Sequence, residues 1–162
     1  MFKFITGDDL SDRFISLGFF LFCLEQCRMA IIDLSFYGLA KNSFNNQFLS
    51  SYYIVLIFTI ILELSGFYSS LFSLAIGAIV VLLSQVWFNC FAGIKISIEN
   101  KVRVDKWGIK CRLGELGGDF LGLILVGLWS LNIYPMIMAS LMLTMTLVYG
   151  FLKYIKPQFD TI

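Results

Sequence analysis

Apolar residues run along the chain in five long blocks, at roughly 14–38, 49–65, 68–94, 116–132 and 135–154. Each is close to the roughly 20 residues a helix needs to cross the hydrocarbon core of a bilayer. The polar breaks between them are short. The second block ends in the polar cluster Glu63, Ser65 and Gly66, with Ser69 and Ser70 just beyond; Gly66 and the serines suit a tight turn, so the second and third blocks are expected to form an antiparallel helical hairpin. Asn132 and Pro135 mark a similar turn between the fourth and fifth blocks. Proline readily opens a helix and disfavours helix in the residue before it. The pattern predicts an all-α integral membrane protein with about five transmembrane helices, or four if the first is interfacial. No internal repeat divides the chain, so residues 1–162 are expected to form a single polytopic membrane domain.

One interval follows a different period. In KISIENKVRVDKWGIK, residues 95–110, Ile96, Ile98, Val102 and Val104 alternate with polar positions, and Glu99, Asn100 and Lys101 supply turn formers and charge. A period of two is that of a half-buried strand pair, so a short extramembrane β-hairpin is expected at about 95–106. Such a hairpin is marginal alone in water. Its apolar face must rest on the helices, on the membrane surface or on a partner. Trp107 is expected at headgroup level, where aromatic belts sit. With it, Lys101, Arg103, Lys106, Lys110 and Arg112 make a membrane-interface loop. Basic residues there attract anionic lipid by about 1 kcal/mol each, although a topological role alone explains most of the charge.

Composition agrees with the pattern. Apolar residues make up 59% of the chain and charged residues 14%, against about 45–50% and 25% in soluble domains. The net charge of +1 provides no field for nucleic acid, so the lipid bilayer is the first expected partner. Lys and Arg are unevenly placed. Residues 95–113 hold Lys95, Lys101, Arg103, Lys106, Lys110 and Arg112, the tail adds Lys153 and Lys156, and Lys41 falls on the same side. The turns at 65–69 and 131–135 contain neither type. The positive-inside rule therefore places the loop and the C-terminus on the cytoplasmic side, with the N-terminus opposite if the first helix spans. The rule serves a bacterial inner membrane, a thylakoid or an organellar membrane alike. The opening MFKFITGDDLSDRF is too acidic for the start of a signal peptide, so the first apolar block is expected to stay in the mature protein.

That first block carries Glu25, Arg28 and Asp33. An Asp, Lys or Arg at a helix centre costs roughly 2.5–3.5 kcal/mol, whereas each Leu, Ile, Phe or Val returns only about 0.3–0.6. The helix is marginal by itself and must find partners for its charges. At about 100° per residue, Glu25, Gln26, Arg28 and Asp33 share roughly half of the circumference, opposite Phe19, Phe20, Phe22 and Met29. Glu25 and Arg28, three residues apart, can pair on the helix surface. Asp33 needs something from another segment. Gln85 and Asn89 lie one turn apart in the third block, and Arg112, Glu115 and Asp119 form a stripe opening the fourth. An intramembrane polar cluster of Glu25, Arg28, Asp33, Gln85, Asn89, Glu115 and Asp119 is therefore expected. Beside that stripe, Gly114, Gly118 and Gly122 recur every fourth residue, the small-residue spacing that lets helices approach closely. The fourth helix is expected to be the central packing helix.

Catalytic chemistry finds little support. The chain has no His, which removes the commonest metal ligand and the imidazole base of hydrolytic triads. Cys23, Cys27, Cys90 and Cys111 form no CxxC pair and are expected to be small buried apolar thiols. No Gly-rich phosphate loop or metal-binding helix motif occurs. No catalytic residue, metal or cofactor is therefore expected. Ionisable residues inside a membrane are functional hypotheses in their own right. The first expectation is a non-catalytic accessory subunit, assembly factor or scaffold of a membrane complex, its polar residues pairing with other membrane subunits or a second copy. The second is a small proton- or cation-coupled carrier acting as an oligomer, its carboxylates binding and releasing protons. A lipid-modifying enzyme stands third.

Overall fold

The structure, a computed structural model, describes residues 9–43, 47–98 and 102–154. It is an all-α membrane fold of five helices with one small antiparallel hairpin. Helix α1 spans Leu10–Ser43, α2 Gln47–Ser69 and α3 Leu74–Phe91. Strands β1 (Ile94–Ile98) and β2 (Val102–Lys106) follow, then a 3-10 turn at Ile109–Arg112, α4 (Leu113–Ser130) and α5 (Pro135–Tyr154). By length and composition, α1 to α4 can each cross a membrane. Helix α5, at 20 residues, has a similar length. At 34 residues α1 is about 50 Å long, well beyond a hydrocarbon core of about 30 Å.

The turn expected at Gly66 lies further on. Helix α2 runs through Gly66 to Ser69, and the chain reverses over residues 70–73. Ser70 N donates to Gly66 O at 2.9 Å and Ser73 N to Ser69 O at 2.9 Å, and the Ser73 hydroxyl then caps α3 at Ile76 N. Gly66 serves packing instead. A Cβ on it would lie 2.5 Å from Val81 Cγ2 and 3.0 Å from Gly77 O. One on Gly77 would lie 2.6 Å from Ser70 Cα and 2.7 Å from Gly66 O. The two bare backbones are what allow α2 and α3 to cross so closely. The turn between α4 and α5 falls where Asn132 and Pro135 place it, with Asn132 at φ 60° and Tyr134 at φ 44°.

The hairpin forms as its alternation predicts, with Ile94 opposite Lys106, Ile96 opposite Val104 and Ile98 opposite Val102. Its turn, including Lys101, lies outside the described residues. Gly93, at φ 65°, bends the chain from α3 into β1. Ile94 and Ile96 are buried, whereas Lys95, Arg103 and Asp105 are exposed.

Two apolar cores result, one at each end of the bundle. At the end of the two tight turns, Ile15 and Phe19 of α1 pack with Leu74, Ala78, Val81 and Leu82 of α3, Leu125 and Val126 of α4, and Ala139 and Met142 of α5. At the other end, Ala40, Leu49, Tyr52, Leu56 and Ala92 pack beneath Ile94 and Ile96. The marginal hairpin is thus stabilised by lying as a cap on the helices. Outward faces carry residues such as Ile54, Ile61, Phe72, Ile76, Ile124 and Ile137, all more than half exposed. In water this much exposed apolar surface would drive aggregation; lipid covers it.

Candidate functional site: a polar cavity between two cores

Between the two cores lies a cavity of about 600 Å³ that every helix helps to line. Its apolar wall comes from Phe22, Met29 and Phe36 of α1, Leu56 and Ile60 of α2, and Phe88 of α3. Its polar groups converge from separate elements: Gln26 and Asp33 of α1, Tyr52, Thr59 and Glu63 of α2, Gln85 and Asn89 of α3, and Glu115 and Asp119 of α4. Lys95, Trp107 and Arg112 contribute from the hairpin side.

Helix α3 organises this polarity. Gln85 and Asn89, one turn apart, each grip a carboxylate on a different neighbour. Gln85 Nε2 donates to Glu63 Oε1 at 2.5 Å on α2. Asn89 Nδ2 donates to Asp119 Oδ2 at 2.9 Å on α4. The amide oxygen of Asn89 in turn accepts from Arg112 Nη1 at 3.0 Å. Arg112 Nη2 donates to the carbonyl of Ile94 at 3.0 Å, tying the first residue of β1 to the start of α4. The guanidinium lies over the Phe88 ring, 5.0 Å from its centroid. Among the described residues no cation forms an ion pair with Glu63 or Asp119. Asp33 accepts a hydrogen bond from Tyr52, the partner from another segment that its position in α1 demanded.

The expected polar cluster is divided by the fold. Asp33, Gln85, Asn89, Glu115 and Asp119 meet at the cavity. Glu25 and Arg28 do not; they line a separate recess between α1 and residues 146–151 of α5. There they pair as their spacing predicts, Arg28 Nε to Glu25 Oε2 and Arg28 Nη2 to Glu25 Oε1, both at 3.0 Å. This geometry yields a prediction. Arg28→Gln is expected to lower stability in micelles by up to about 3 kcal/mol, the scale of a charge left in an apolar setting. Changing Glu25 and Arg28 to Gln together is expected to cost less than that single change. Detergent-titrated unfolding checks this, and additive losses would show that the pair does not act as a unit.

Several expected roles change. Of the glycine stripe, only Gly122 is approached closely within the chain: a Cβ there would lie 3.0 Å from Leu82 and 3.6 Å from Met145. Nothing among the described residues lies within 4 Å of such an atom on Gly114 or Gly118, and both glycines line the cavity. Among the described residues, the closest approach to a glycine is at Gly66 and Gly77. Arg112, expected in the interface loop, is only 6% exposed because it reaches inward to Asn89 and Ile94. Trp107 also borders the cavity, with Lys95 Nζ 4.7 Å from its ring centroid. Arg103, Lys106 and Lys110 remain exposed on the hairpin side, Lys106 Nζ lying 5.2 Å from the Phe48 ring. Only Cys23 of the four thiols is buried; Cys27 and Cys111 are exposed.

Glu63 and Tyr52 were missed by sequence reasoning as members of the site. Glu63 sits in a polar run that resembled a turn, yet it is three residues from Gly66 and therefore on the face turned to α3. That spacing was the available signal. No protein-family model, curated protein or solved structure matches the chain. What fold and site define is a class: an all-α membrane protein enclosing a polar cavity.

Proposed function

We propose that the protein is a membrane-embedded binding protein for a small molecule bearing a cationic group, and acts as the ligand-binding part of a carrier. One observation carries this reading. Four carboxylates, those of Asp33, Glu63, Glu115 and Asp119, line one cavity between two apolar cores. Acids at membrane depth cost several kcal/mol unless paired or hydrated. Here Glu63 and Asp119 are held by neutral amides from α3. Amides fix the direction of a carboxylate while leaving its charge available to a ligand. A cavity of about 600 Å³ falls within the range of about 300–1,000 Å³ usual for small-molecule sites, and its mostly apolar wall with a few convergent polar groups is typical of them.

Binding of isopentylamine to the purified, reconstituted protein tests the proposal. Glu63→Gln and Asp119→Asn keep size and hydrogen-bonding capacity, so each is expected to preserve the fold and weaken binding at least tenfold. Wild-type affinity in both variants would sink the reading.

A second reading, an accessory subunit or scaffold, is supported by the α4 edge at Gly117, where a Cβ would meet nothing within 4 Å among the described residues. Backbone as bare as this suits the close approach of a helix from another chain. In that case the protein purifies with a stoichiometric membrane partner, and the two acid substitutions leave that association intact.

A further inference from the structure

We infer that the ligand of this cavity is a zwitterion, its cationic group received by the cavity's carboxylates and its anionic group by Arg112. The inference rests on reading the cavity as a ligand site and deepens it. Arg112 lines the cavity while only 6% exposed. A guanidinium has five donor hydrogens. Here one goes to Asn89 and one to the Ile94 carbonyl, both neutral oxygens. Nε, buried, has no hydrogen-bond partner. Among the described residues no carboxylate pairs with this side chain, because Asn89 stands between it and Asp119. A buried cation with unused donors and no counter-ion is costly in an apolar setting. A ligand carboxylate or phosphate would meet both needs, since the guanidinium fork suits either group.

Acidic groups line the same cavity. Asp33 and Glu63 are near enough to act on each other electrostatically, and Tyr52, whose hydroxyl donates a hydrogen bond to Asp33, also feels the charge of Arg112. A purely cationic ligand would therefore meet Arg112 as a like charge. A purely anionic one would meet four carboxylates. Only a molecule carrying both signs satisfies both kinds of group at once. The wall of Phe22, Met29, Phe36 and Leu56 gives its apolar body a place. A free amphipathic zwitterion and the headgroup of a zwitterionic lipid share this chemistry.

A matched ligand series tests the proposal. Leucine, isopentylamine and 4-methylpentanoate share an apolar body and carry both charges, the cation alone or the anion alone. Equilibrium binding to the full chain in nonionic detergent is expected to favour leucine at least tenfold over either fragment. Glu63→Gln is expected to remove that preference, and Arg112→Lys, which keeps the charge but not the fork, to weaken leucine at least tenfold more than it weakens isopentylamine. If the source is lipid, leucine does not bind. Instead, one phosphatidylethanolamine per chain survives exchange from phosphatidylethanolamine nanodiscs into detergent and is lost from Glu63→Gln; this outcome also supports the zwitterion. Isopentylamine binding as tightly as leucine, with no retained lipid, overturns the inference and leaves the proposed cation site standing. Tightest binding of 4-methylpentanoate, or no binding and no retained lipid, overturns both.

Discussion

Gly77→Ala is expected to destabilise the folded bundle by about 1–3 kcal/mol, the usual range for overpacking, although it adds a single methyl group. In an unpacked helix the same change would stabilise by up to about 1 kcal/mol, because alanine is the better helix former. The sign reverses here because of what the methyl group meets. Its nearest neighbours are Ser70 Cβ at 2.5 Å, Ser70 Cα at 2.6 Å and Gly66 O at 2.7 Å. Two of these are backbone atoms, and neither can rotate away. Relief requires α2 and α3 to separate, which also stretches the Gln85 to Glu63 hydrogen bond between the same two helices. Gly117→Ala is the control, since a Cβ there meets nothing within 4 Å among the described residues. Unfolding by titration with sodium dodecyl sulfate in mixed micelles compares the two. Equal stability would mean that the close crossing of α2 and α3 does not hold in the membrane.

The contrast between these glycines explains what the sequence disclosed and what it hid. Blocks of apolar residues report spanning helices directly, because in hydrocarbon the backbone must satisfy itself within each helix. Strict alternation reports the hairpin just as directly, since residues 94–98 and 102–106 have one face to bury. The Glu25–Arg28 pair was equally visible, being a matter of spacing on one helix. Contacts made by folding back are different. Gly66 and Gly77 lie eleven positions apart on opposite sides of a turn, so no periodicity within one helix links them. Gly114, Gly118 and Gly122 obey such a periodicity, yet among the described residues only Gly122 is closely approached. Polar residues near helix ends were ambiguous for a related reason. Glu63 resembled turn polarity and Arg112 an interface charge, because each has apolar sequence on one side only. Their inward direction is set by Gln85 and Asn89 on a helix between them, a tertiary fact. The cavity was thus half visible: its acids on α1 and α4 and its amides on α3 could be named, but not the α2 wall or the buried guanidinium.

That guanidinium carries the second large effect. Arg112→Met is expected to lower stability on the order of 3 kcal/mol, because Asn89 Oδ1 and the Ile94 carbonyl both lose their donor and each unmet buried acceptor costs about 1–3 kcal/mol. Removing a buried charge recovers part of this loss, so the sum of the two penalties is an upper bound. The damage should be local. Arg112 joins β1, α3 and α4 at one point, and the hairpin otherwise rests on its apolar face against Ala40, Leu49 and Tyr52. The amides of β1 are therefore expected to exchange faster with solvent while those of α3 near Val81 keep their protection. Trp107, which borders the cavity beside Lys95, should change its fluorescence as the hairpin loosens. Coupling to Asn89 separates this account from a simple loss of packing. If the two side chains act as one unit, the double change Arg112→Met with Asn89→Leu costs less than the sum of the single changes, because the second removes an acceptor the first left unmet. Additive losses, with β1 amides as protected as in the parent, would mean that the guanidinium does not tie the hairpin to the bundle.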